Sequence, residues 1–194
     1  MPPIDIAWVW HLHRLAPLKY AAYCRERFGA VLEPGASAFR LQSADARTQD
    51  QDDAEDCEHT RLVWSQAYPS EPFFLDVAGQ RRAPGRGASS ASSLVEPIVA
   101  TAGRQSTFLW QVSHPAFSDE LFLDRAIERY DRFLQLMGRC GYRQHFYVPP
   151  YDVDLCWHTH MLASSCAYHE ETRVRAGEPV DTTTASTSAT RAPS

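Results

Sequence analysis

The chain has 194 residues, 44% of them hydrophobic and 22% charged, which suits a folded domain of ordinary size and argues against global disorder. Its net charge of −5 is concentrated: residues 43–59 hold seven acids against one base, Arg47, and the remaining 17 acids and 18 bases nearly balance. No basic stripe of the kind that draws nucleic acid stands out, no apolar run is long enough to cross a bilayer, and the first residues lack the basic and apolar regions of a secretory signal. A cytoplasmic or nuclear location is expected, with no membrane partner and with nucleic acid disfavoured.

Residues 2–28 read as two short helices, Ile4 to His13 and Leu18 to Arg27, separated at Pro17 and stopped by Gly29. Residues 34–53 are small, polar and acidic, the composition of a mobile surface loop. A helical pattern returns from Ala54 to Ala67, where Pro69 ends it, and Phe73 to Val77 is apolar enough to be extended. Residues 79–93, rich in Gly, Ser and Arg, read as a flexible connector. Leu94 to Val112 forms the next helix. The most regular one follows from Ser118 to Met137, with Ser118 as its N-cap and Phe122, Ala126, Tyr130, Phe133 and Met137 as its apolar stripe. Residues 1–176 thus make one domain, and 177–194, dominated by Thr, Ser, Ala and Pro, form a disordered tail. The expected fold is all-α, a compact bundle of roughly six or seven helices.

The five cysteines, Cys24, Cys57, Cys140, Cys156 and Cys166, are odd in number and irregularly spaced, with no C-x-x-C pair. Reduced thiols rather than a disulfide scaffold are expected. Cys156, between Leu155 and Trp157, is expected to be the most buried of them.

The most specific feature is an internal repeat. Residues 2–16 and 149–163 align at a constant offset of 147, and eight of fifteen positions are identical: both prolines, Asp5/Asp152, Trp10/Trp157, His11/His158, His13/His160, Leu15/Leu162 and Ala16/Ala163. Pro-Pro sets an extended approach, after which Asp5 or Asp152 is placed to cap a helix. Trp10 and Trp157 are expected in the core, each indole N–H needing a partner. Both segments are too short to be stable alone, so the two Trp-His-x-His helices are expected to pack together, with pairs such as His13–Asp152 and His160–Asp5 across the contact.

Four imidazoles in two His-x-His pairs also raise a metal, zinc above all, with His11, His13, His158 and His160 as ligands. Helical geometry opposes this, because side chains two residues apart on a helix point about 200° apart. Asp154 and His158, four residues apart, can meet on one helical face, but Ala7 stands at the matching place in the first segment.

These motifs, in order along the chain, resemble the glycine-rich domain-containing protein-like family of plant proteins and fungal relatives. The resemblance rests on Asp5 to Tyr20, Tyr68 to Asp76, Gln105 to Ser113, Phe122 to Leu134 and Val148 to Met161. It implies no reaction, since the family is defined by sequence. Plant members are associated with development and stress responses, and longer ones carry a glycine-rich region and an RNA-binding motif. This chain has neither, and residues 164–169 lack the family's proline after the second Trp-His-x-His, although Tyr168 stands for its tyrosine.

The leading functional reading is a helical interaction or scaffold module with an unknown protein partner, no catalytic constellation and no cofactor. The alternatives are a His-dependent metal-binding protein or metallohydrolase, and RNA binding through the small basic patch Arg81, Arg82 and Arg86.

Overall fold

A computed structural model describes residues 2–34, 50–74, 92–141 and 147–182. Among these, seven α-helices and one 3-10 turn occur and no strand does: α1 (Ile4–Arg14), α2 (Pro17–Phe28), α3 (Asp50–Ala67), α4 (Ser92–Val112), the turn Pro115–Ser118, α5 (Glu120–Cys140), α6 (Tyr151–Ala163) and α7 (Ser165–Ala176). The fold is all-α. The acidic loop between 35 and 49, most of the 79–93 connector and the tail from 183 lie outside the described residues.

The chain divides into two units, Met1–Trp10 with Pro34–Glu96, and His11–Glu33 with Pro97–Ser194. In the first, α3 starts at Asp50, four residues before the expected Ala54, since nothing from 50 to 53 is a Gly or Pro that would stop it. After Pro69 ends the helix, the chain turns so that Trp64 donates its indole N–H to the Glu71 carbonyl at 3.1 Å. Tyr68 and Phe73 lie 5.0 and 6.3 Å from the Trp64 ring, ahead of the Phe73–Phe74 pair. Phe73 and Phe74 belong to no strand, and Asp76 and Val77 lie outside the described residues.

In the second unit α5, α6 and α7 carry the main core: Tyr130, Leu134 and Met137 from α5, Val153, Trp157 and Met161 from α6, Tyr168 and Ala176 from α7, joined by Leu15 and Val180. On α5 the stripe is shifted slightly from the expected one, because Leu134 is fully buried while Phe133 packs at its edge. The N-cap of α5 is Asp119, whose carboxylate accepts from the Phe122 N–H at 2.9 Å; Ser118 instead closes the preceding 3-10 turn, itself capped by His114. Asp119 thus takes the place expected of Ser118.

α2 ends as expected at Gly29, whose left-handed backbone (φ 78°) lets its N–H reach the Arg25 carbonyl. α5 and α7 approach so closely at Gly138 that a Cβ there would stand 2.8 Å from the Ala176 Cα. The packed chain continues past residue 176. Val180 is fully buried, its N–H donates to the Thr172 hydroxyl, and the Thr182 hydroxyl donates to the Leu15 carbonyl at 2.7 Å. The expected boundary at 176 therefore falls six residues short, because one buried valine and two side-chain hydroxyls outweigh the polar composition around them. Of the described cysteines, all free thiols, the most buried is Cys24 and not Cys156, which α6 turns only partly inward.

Candidate functional site

Both Trp-His-x-His segments are helical, so the two histidines of each pair diverge. On α6, His158 turns to α4, its ring 4.3 Å from that of Phe108, and reaches the Asp154 carboxylate at 3.5 Å. His160 turns to the other side. Its Nδ1 lies 2.8 Å from the Tyr130 hydroxyl, its ring edges onto Tyr168, and its Nε2 is 3.5 Å from Glu171. On α1, His11 stands beside the side chain of Gln105 on α4, while His13 sets its ring edge-on to Tyr20 and Tyr23 of α2. Among the described residues no three His, Cys, Asp or Glu side chains converge to hold a metal ion.

Burial dominates the electrostatics here. It lowers the pKa of His158 to about 4, with the nearby His11 pushing the same way, and it raises that of Asp154 to about 6. His11 is lowered by burial and by Arg14, against a smaller rise from Gln105; His13 is lowered by burial alone. For His160 burial also outweighs the opposing pull of Glu171. At neutral pH these are neutral, packed imidazoles. Burial makes their proton affinity poor and holds the Tyr130 hydroxyl well above its usual pKa.

The remaining motif residues have equally specific places. Trp157 is buried and donates its indole N–H to the Tyr168 hydroxyl at 2.8 Å, which in turn donates to the Val180 carbonyl at 2.9 Å. Trp10 is only half buried and belongs to the first unit. Asp152 does not cap α6. Pro150 is the N-cap, without a side-chain bond, and Asp152 is a residue inside the helix, where its carboxylate takes the Arg129 guanidinium at 2.7 Å. A buried carboxylate already in the first turn gains more from a cation on α5 than from an amide behind it. Asp5 likewise sits inside the first turn of α1 and not ahead of it.

The expected His13–Asp152 pair is replaced by these contacts: Arg129 holds Asp152, and Tyr20 and Tyr23 flank His13. Within the second unit, the end of the first segment meets the end of the second through Arg14, whose buried guanidinium donates to the Leu162 carbonyl. Gln105 and Phe108, one turn apart on α4, are the residues that sequence reasoning did not single out individually. Their spacing on one helical face, inside the stretch from Gln105 to Ser113, was the available signal.

The family model of glycine-rich domain-containing protein-like proteins matches residues 19–170. Glycine-rich domain-containing protein 2 of Arabidopsis thaliana is 35% identical over 166 residues, covering 84% of this chain and 19% of that protein. Glycine-rich domain-containing protein 1 of the same plant is 36% identical over 169 residues, with the same two coverages. The chain thus spans about a fifth of the length of these relatives. No solved structure matches it.

Proposed function

Starting from a chain that belongs to the glycine-rich domain-containing protein-like family, we propose that it is a helical protein-interaction module acting in the cytoplasm or nucleus. One observation carries this reading: Trp110, on α4, is 73% exposed. Residues eleven apart on a helix share a face, and Val99, 65% exposed, stands there with it. The opposite side of α4 supplies Gln105 and Phe108 to the histidines, so the helix is anchored by one face and offers the other. Scattered exposed aliphatics are ordinary, but an indole is the side chain most often found at the energetic centre of protein interfaces. Among the described residues no helix is long and apolar enough to cross a membrane, which is compatible with such a role.

Site-specific photo-crosslinking in the native cell tests it. A photoreactive residue at position 110 should give one discrete protein adduct, whereas the same residue at Arg132, exposed on α5, should give none. Equal labelling from both positions, or none from either, would contradict the reading.

A further inference from the structure

The polypeptide leaving α2 is fastened to α7 by one side chain. Glu33 lies beyond the Gly29 cap, in irregular backbone, yet its carboxylate accepts from the Cys166 N–H at 2.8 Å and the Ser165 N–H at 3.1 Å. The Ser164 hydroxyl reaches it at 3.5 Å and the Cys166 side chain also bonds it. Ser164 simultaneously accepts from the Ala167 N–H, so the first turn of α7 is capped twice, once by its own N-cap residue and once by a residue more than 130 positions away. Independently of the helix end, the Arg14 guanidinium comes within 3.9 Å of the same carboxylate, with its side chain wholly inaccessible while that of Glu33 is 32% exposed.

A fully buried guanidinium aimed at a partly exposed carboxylate is an uneven pair. The cationic and amide side is built into the fold, and the anionic side arrives on a surface segment. We propose that residues 29–33 are a strap and Glu33 its clasp, held in a preformed carboxylate cradle made by Arg14, Ser164, Ser165 and Cys166. Opening the clasp frees the Glu33 side chain and the first turn of α7, while the buried Tyr20 hydroxyl still donates to the Leu32 carbonyl and the core of α5, α6 and α7 takes no part in the contact. This inference does not depend on the interaction face of α4.

Amide hydrogen exchange of the full chain tests it. In Glu33→Gln and Glu33→Ala, exchange of the Ser165 and Cys166 amides should rise about tenfold, the factor that loss of a helix cap amounts to. Core amides of α5 should keep their protection, which separates clasp opening from general unfolding. Adding acetate to Glu33→Ala should restore protection at Ser165 and Cys166, and chloride at equal ionic strength should not. Unchanged exchange at these amides in both variants, or acetate acting no differently from chloride, would overturn the proposal.

Discussion

Asp154 and His158 should make opposite contributions to stability as the pH falls, and removing either should uncover the other. The Asp154 carboxyl has its pKa raised from 3.8 to about 6 by burial, so the folded protein binds its proton first. Acidification through this range therefore favours the fold. The His158 imidazole is lowered from 6.5 to about 4, so the unfolded chain binds that proton first and acidification over the same range favours unfolding. The side chains are only 26% and 14% exposed, which permits conversion to energy: each interval corresponds to about 3 kcal/mol between pH 7 and pH 4, with opposite sign. In the unaltered protein the two nearly cancel. Urea denaturation at pH 7, 6, 5 and 4 would separate them. The stability of Asp154→Asn minus that of the parent should fall by about 3 kcal/mol from pH 7 to pH 4, and the corresponding difference for His158→Gln should rise by about as much. Taking differences removes the shared contributions of His11, His13 and His160, which burial also lowers. Profiles parallel to the parent in both variants would refute the buried placement of this pair.

Three further outcomes follow from the packing. Gly138→Ala, which helix propensity alone would favour by about 1 kcal/mol, should instead cost about 1–3 kcal/mol because its Cβ meets the Ala176 backbone; a gain in melting temperature would exclude the close crossing. Tyr168→Phe should cost about 1–3 kcal/mol by leaving the Trp157 indole N–H and the Val180 carbonyl without their shared hydroxyl, and an unchanged denaturation midpoint would show that the bonds are not made. Truncation after Ala176 should lower the melting temperature through loss of about 1.5–3 kcal/mol of Val180 burial, whereas truncation after Thr182 should not, and equal behaviour of the two would place the boundary back at 176.

The helices were legible wherever the sequence carries a period or a stop signal: Gly29 closes α2, Pro69 follows α3, and the stripe of α5 marks its buried side. The repeat was legible too, and the turn between helical side chains two residues apart correctly implied that each His-x-His pair would split between two neighbourhoods. What each aspartate does was not legible. Asp152 follows Pro-Pro as a cap would, but α6 begins a residue earlier with Pro150 as its N-cap, and Arg129 from α5 pairs with the carboxylate instead. The same holds for Val180, one valine in a run of polar residues, whose burial depends on Tyr168 and Thr172 reaching its backbone. Glu33 could not be found at all from local pattern, because its partners are the amides of a helix that begins at Ser165.

Each of the four Trp-His-x-His imidazoles packs against its own set of neighbours. Nitrogen-detected NMR of the four imidazoles, recorded through a pH titration and then with equimolar zinc, tests it most directly. His158 should stay neutral until the pH approaches about 4, and zinc should leave His11, His13, His158 and His160 unmoved while the fold is intact. Ordinary titration of His158 near 6.5, or stoichiometric zinc shifting both members of either pair together, would contradict it.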